Sequence, residues 1–173
     1  MTIRLMATSP PSHPLWHNFF RQQDDWISET ATMCQNNTLF DGLSPAVIRW
    51  FASRMHPRHY DAGEIIFHAG DEGAGAILLR SGTIEIRNNG IQLAVMTAGD
   101  LFGEVALVSG KERTADAIAT EPCELVFLLC ADLDGWIESR PKHACTLLQN
   151  LGSMLADRLL ESNRAVTKQA NHG

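Results

Sequence analysis

"TIEIRNNGIQLAVM", residues 83–96, sets the architecture. Apolar and polar side chains alternate on both sides of Asn89-Gly90, and a period of two is the mark of a half-buried strand. A two-residue turn of type I′ needs positive φ at both positions, which asparagine and glycine tolerate, so the dipeptide predicts a tight hairpin. The same period runs outward from Tyr60 to Cys130 through "EIIF", "GAILLR", "CELVFLL" and their neighbours, with glycines at 63, 70, 82, 90 and 99 between the runs. Short strands at this spacing predict an antiparallel sandwich or barrel, and a count of about eight suits a jelly roll.

The flanks follow a helical period instead. Trp16, Phe19, Phe20, Trp26, Ile27 and Met33 predict a helix over Pro14–Gln35, interrupted at Asp24-Asp25, after a disordered stretch at residues 1–13. "LSPAVIRWFASRM" opens a second helix, with Ser44 as N-cap, Pro45 at the first helical position, and Val47, Ile48, Phe51 and Met55 on its buried face. A short helix is expected at Leu133–Ser139 and a long one from about Pro141 to Lys168. Along the long helix Leu148, Gly152, Leu155, Leu159, Ser162 and Val166 recur at alternating spacings of four and three, as in a helix that pairs with another. Leu147, Leu151 and Met154 offer a second face to the protein's own strands. The expected fold is mainly β with flanking helices: an antiparallel eight-stranded jelly-roll barrel with N-terminal helices and a long C-terminal helix.

Charge and composition narrow the function. The 173 residues carry a net charge of −6, and residues 41–131 hold the excess, with seven bases against twelve acids. No basic stripe interrupts that balance, so nucleic acid is not an expected partner, and an anionic membrane surface is not one either. The opening "MTIRLMATSPPSHP" has too short an apolar run for a secretory signal, and no stretch has the length of a membrane span. Four cysteines, at 34, 123, 130 and 145, show no CxxC spacing and read as buried reduced thiols of a cytoplasmic protein. His56 and His59 flank Pro57 without a cysteine or carboxylate pattern, so no metal is expected.

One segment stands out chemically: "FGEVALVSGKERTADA", residues 102–117. Lys111 and Arg113 are the only bases between Arg87 and Arg140. Gly103 permits close approach to the backbone, and "ALVS" has the length of one helical turn whose first N–H groups attract an anion. Arg113 supplies a planar fork that matches phosphate, with Thr114 beside it. Glu104 only accepts hydrogen bonds, and a ribose hydroxyl is its natural partner next to a phosphate. Spacing alone leaves a second reading open, a Glu104–Arg113 ion pair across the turn with no ligand. In the ligand reading the empty site leaves Arg113 solvated. The nearby "GDEGAG" at Gly70–Gly75 joins strands and opens no helix, so it is a turn rather than a dinucleotide fingerprint.

Residues 102–117 resemble the phosphate-binding cassette of cyclic-nucleotide-binding domains, in the form found in catabolite-activator-type regulators and nucleotide-gated channels. Phe102, Gly103, Glu104, Ala106, Leu107, Arg113, Thr114 and Ala115 carry the pattern, and Glu112 departs from it, since many members have proline there. "LFDGLSPAVIRWFA" and "GEIIFHAGDEGAGAILLRSGTIEI" resemble the family's leading helix and first strands, which extends the likeness from about Leu39 to Val166. The resemblance implies that Glu104 holds the ribose 2′-hydroxyl and Arg113 the cyclic phosphate. It implies further that Gly103, Val105 and Thr114 line the phosphate pocket, and that Ile86 and Leu93 flank sugar and base. Ser162 and Asn163 on the long helix would reach the purine. A hydroxyl after the arginine is compatible with cyclic AMP, and threonine there also helps hold guanine.

On this reading the chain divides into a partly helical N-terminal arm (1–37), a nucleotide-binding barrel with its leading helix (38–131), and C-terminal helices for dimerisation and ligand cover (132–173). It is expected to be a stand-alone, non-enzymatic cytoplasmic sensor without a helix-turn-helix. Its ligand is cyclic AMP or cyclic GMP, no other cofactor is expected, and its output passes through a homodimer or a downstream protein. Two alternatives remain: a jelly-roll interaction module with no nucleotide, and a cupin-type enzyme. The second lacks the His-x-His that such metal sites use.

Overall fold

The hairpin forms as its turn residues require. Asn89 (φ 49°) and Gly90 (φ 78°) both take positive φ, and Asn88 lies opposite Ile91. The computed structural model describes residues 14–170, so the disorder expected at residues 1–13 lies outside the described residues. Helix α1 (Pro14–Gln35), a 3-10 turn at Thr38–Phe40 and α2 (Pro45–Ala52) lead into β1 (His56–Tyr60), β2 (Ile65–Phe67), β3 (Gly75–Ser81), β4 (Ile84–Asn88), β5 (Ile91–Met96) and β6 (Leu101–Phe102). A single helical turn, α3 (Ala106–Ser109), precedes β7 (Asp116–Ala119) and β8 (Cys123–Leu129), and α4 (Cys130–Ser139) and α5 (Pro141–Ala170) follow.

The eight strands form two antiparallel four-stranded sheets, ordered β1-β8-β3-β6 and β2-β7-β4-β5. The arrangement is jelly-roll-like, as expected, and its barrel consists of two facing sheets rather than one closed by hydrogen bonds. A two-residue β6 and a three-residue β2 at their edges are too short to carry hydrogen bonding from one sheet into the other.

Strand β3 shows where the core sits. Five successive residues, Gly75–Leu79, are buried, because the strand is covered on both faces. Ile77 and Leu79 face the second sheet with Ile84, Phe102, Ala117 and Leu125. Ala76 and Leu78 face the helices, where they join Leu39, Phe40, Phe51, Trp136, Leu147 and Leu151. Alternation along one strand thus feeds two cores.

Three helix expectations need revision. Helix α1 runs unbroken through Asp24-Asp25; aspartate has only a modest helix penalty, and Asp25 is exposed. Helix α4 begins at Cys130 rather than Leu133, because the Asp132 carboxylate accepts a hydrogen bond from the Leu129 N–H at 3.2 Å and caps the earlier start. Ser44 takes the extended N-cap backbone but makes no side-chain cap bond. The helical stripe also divides. Leu147 and Leu151 are fully buried, Leu148, Met154 and Leu155 pack against the same core, and Leu159 is 62% exposed. The side chain of Val166 lies outside the described residues.

All four cysteines are free; Cys34 and Cys123 are buried as expected, Cys130 is partly so, and Cys145 is exposed on α5. Burial pushes the Cys34 thiol up to about 12. Both histidines of the His56-Pro57-Arg58-His59 stretch meet carboxylates. His56 Nε2 meets Asp132 at 2.9 Å, and His59 lies between Glu124 at 2.9 Å and Asp61 at 3.2 Å.

Trp136 is 1% exposed and stacks on Phe51 with ring centroids 4.2 Å apart. Trp136→Ala should open a cavity between α2, α4 and the first sheet and lower the unfolding free energy by about 3–5 kcal/mol in chemical denaturation. A loss below about 1 kcal/mol would mean that the helices do not share a core with that sheet.

Candidate functional site

The site is built from the segment between β6 and β7. Buried Leu101 and Phe102 pair with Leu78 and Ile77 of β3 and deliver the chain to Gly103. Gly103 sits at φ 69°, where L side chains are strained, and a Cβ there would lie 2.4 Å from Arg113 Nη1. Backbone shape and side-chain approach therefore both ask for glycine. Val105 leads into α3, and Gly110, left-handed at φ 57°, ends it.

The "GDEGAG" turn does more than join β2 to β3. The Arg113 N–H donates to the Asp71 carbonyl at 2.7 Å, and the Gly70 N–H donates to the Arg113 carbonyl at 2.8 Å. Glu72 bridges Glu112. A Cβ on Gly73 would lie 2.6 Å from Ala106 Cβ and 2.7 Å from the Lys111 carbonyl, so the turn presses directly on α3. Asn88, at the end of β4, donates to the Thr114 carbonyl at 3.0 Å.

Arg113 is half-buried and not solvated as the sequence suggested. Its Nη1 donates to the Gly103 carbonyl at 3.0 Å and its Nη2 to the Gly75 carbonyl at 2.8 Å, with its guanidinium carbon 4.4 Å from the centre of the Phe67 ring. Burial lowers its pKa from the usual arginine value, opposed by the charges of Cys130, Glu104 and Asp71. A guanidinium has five N–H bonds, and these two carbonyls take two of them. The Arg113 Nε–H is buried without a partner among the described residues.

Glu104 is 1% exposed and does not pair with Arg113. The ion pair left open by spacing is therefore replaced by another: Arg158 of α5 donates to Glu104 Oε1. A buried carboxylate needs such a partner, since an isolated charge loses its hydration. Glu104 Oε2 remains buried without a partner among the described residues. Arg158 carries no family motif and was missed in the sequence. The available signal was its place four residues before Ser162, on the same helical face.

A cavity of 210 Å³ gathers these groups. Gly103, Glu104, Val105, Arg113, Thr114 and Ile86 line it as expected, joined by Arg158, and Phe67, Met96 and Phe102 add apolar wall. Leu93 is not at the cavity; it is 58% exposed on β5, and Met96 of the same strand stands there instead. Ser162 and Asn163 lie on the exposed part of α5, beyond Arg158, and do not line the cavity. Chemically the cavity offers a cation with spare donors, a buried acceptor, and an apolar wall. Among the described residues no group of three His, Cys, Asp or Glu side chains is placed to hold a metal.

Residues 57–140 match the family model described as "Cyclic nucleotide-binding domain". The chain is 34% identical over 134 residues to the cyclic AMP receptor protein of Thermus thermophilus, covering 75% of this chain and 60% of that protein. Its fold matches the crystal structure of the Thermus thermophilus catabolite activator protein with a TM-score of 0.69 at 32% identity, over 78% of this chain and 63% of that one. It also matches a cyclic nucleotide-binding domain from Methylobacillus flagellatus with a TM-score of 0.72, over 84% and 85% of the two chains; at 24% identity that likeness concerns the fold alone. The chain thus spans less than two thirds of the length of the Thermus relative. Because Gly103, Glu104 and Arg113 fall within the matched segment and converge on one cavity, sequence likeness and geometry agree, and the chain belongs to the cyclic nucleotide-binding domain family.

Proposed function

We propose that the cavity binds a cyclic nucleotide, cyclic AMP in preference to cyclic GMP, and that the loaded protein signals through a homodimer or a downstream protein. The observation that carries this reading is the juxtaposition of half-buried Arg113, with N–H bonds to spare, and buried Glu104, with Oε2 unpartnered. The cyclic phosphate is a singly charged anion and takes the remaining Arg113 donors, beside the backbone of Gly103 and Val105 and the Thr114 hydroxyl. The ribose 2′-hydroxyl donates to Glu104, and sugar and base lie along Phe67, Ile86 and Met96. Arg158 holds the same carboxylate from α5, so the ligand and the long helix share one acceptor.

The preference for cyclic AMP is supported by the name of the Thermus relative, which is that protein's property, and by a hydroxyl residue after the arginine. Ser162 and Asn163 reach the purine only if α5 folds over the cavity or a second copy supplies them. A second copy has an apolar surface to meet, because Leu159 and Leu160 are 62% and 52% exposed on the outer part of α5. The proposed action is binding and release, without conversion of the ligand. The proposed setting is the cytoplasm, where a free exposed thiol such as Cys145 stays reduced. No helix among the described residues is long and apolar enough to cross a membrane.

Calorimetry with cyclic AMP is the direct test. Arg113→Ala removes a charge-assisted contact worth roughly 1.5–3 kcal/mol, a tenfold to hundredfold loss of affinity. The same change also lowers the melting temperature without ligand, because it deletes both carbonyl ties. A wild-type protein that gives no binding heat with cyclic AMP or cyclic GMP overturns the proposal.

Arg158→Ala should cost the ligand-free protein about 1–3 kcal/mol, since Glu104 is left buried without a donor. Saturating cyclic AMP should recover part of that loss, and a thermal shift no larger than that of wild type would count against a shared acceptor. Leu159→Glu places charge on the outer α5 surface and should convert dimers to monomers in sedimentation velocity. A wild type that already sediments as a monomer at micromolar concentration would remove α5 pairing from the reading.

A further inference from the structure

A second cleft, of 550 Å³, lies between the end of α2 and α4, and it shares no lining residue with the nucleotide cavity. Two arginines converge in it on one aromatic ring. The Arg54 guanidinium carbon is 4.2 Å from the Trp50 ring centre, and that of Arg140 is 4.5 Å from the same centre. Stacking on an indole fixes the plane of each fork while leaving its N–H edges free for an acceptor. Among the described residues, neither guanidinium has a carboxylate or carbonyl acceptor. Asp132 lines the same cleft, and its Oδ2 meets His56 at 2.9 Å and the Leu129 N–H at 3.2 Å, away from both guanidinium groups. Two guanidinium charges on one ring, against the single Asp132 carboxylate, leave an excess of one positive charge that an anion relieves.

Gly135 is an independent sign that the cleft is kept open. It lies inside α4, where glycine weakens a helix relative to alanine, and it lines the cleft. It has no positive φ, and a Cβ on it would find nothing within 4 Å. Neither backbone nor packing requires glycine there; its effect is to leave space beside Arg54 and Arg140.

We propose that this cleft is an anion site for a doubly charged oxyanion of the phosphate monoester type. The Arg54 and Arg140 forks bind its oxygens, Trp50 holds both forks in place, and Gly135 admits the group. The site is separate from the nucleotide cavity, whose ligand carries a single charge.

The test is titration of the full chain with inorganic phosphate at pH 8 and constant ionic strength, with chloride as the control. The Trp50 indole N–H and the Arg54 and Arg140 side-chain resonances are followed by NMR. The expected result is a saturating shift with phosphate and none with chloride. Arg54→Gln and Arg140→Gln should each weaken the affinity at least tenfold, and Gly135→Leu should abolish it. If the leucine variant does not fold, the two glutamine variants, each a change at a side chain with no acceptor among the described residues, decide the matter alone. Linear shifts matched by chloride, or equal affinity in wild type and both glutamine variants, would overturn the proposal.

Discussion

A single guanidinium joins the parts of the site. Arg113 stands just before β7, donates to the carbonyl of Gly103 after β6 and to that of Gly75 at the head of β3, and rests on Phe67 of β2. Strands β3 and β6 belong to one sheet, and β2 and β7 belong to the other. Where the two sheets fail to close by hydrogen bonding, one side chain bridges them. Its backbone adds two further bonds, to Asp71 and Gly70, so the functional segment cannot shift without the turn that clamps it. The charge that makes the site attractive to an anion is thus also structural.

Carbonyl oxygens are neutral acceptors, which explains how the arginine can serve both purposes. A carboxylate partner would have neutralised Arg113 directly, whereas the Gly103 and Gly75 carbonyls hold it in place without adding a charge of their own. Burial penalises the charged form, but an arginine starts so far above neutral pH that it stays protonated. The negative partner that spacing suggested, Glu104, is tied to Arg158 instead. That pair ties the cavity wall to α5. The inner part of the helix is fixed by Leu147 and Leu151, while Leu159 and Leu160 beyond it are exposed. Whatever alters the hold on Glu104 acts at the boundary between those two parts.

The local elements were legible because each rests on short-range physics. Positive φ at Asn89-Gly90 fixed the β4–β5 hairpin, and period-two alternation located the strands. The leucine spacing of α5 marked a helix with more than one apolar face. The cassette was legible too, since Gly103, Glu104 and Arg113 lie within eleven consecutive residues and each residue type has a narrow chemical use. Errors arose where hydrophobic period does not say where a cap starts a helix or which face of a strand meets the cavity. Asp132 lengthens α4 by accepting the Leu129 N–H, a cap that hydrophobic period does not report, and Leu93 lies an odd three positions from Met96, so alternation along β5 turns it away from the cavity that Met96 lines.

The sequence by itself therefore determined the strand-rich class, the flanking helices and the chemical character of residues 102–117, because turn dihedrals, hydrophobic period and side-chain chemistry are properties of neighbouring residues. Only the tertiary structure decided that the strands form two sheets rather than a closed barrel. It also decided that Arg113 bonds the carbonyls of Gly103 and of Gly75 on β3, and that Glu104 pairs with an arginine 54 residues further along the chain. These are contacts between segments remote in sequence, and no local period or spacing encodes which remote group a buried charge will meet.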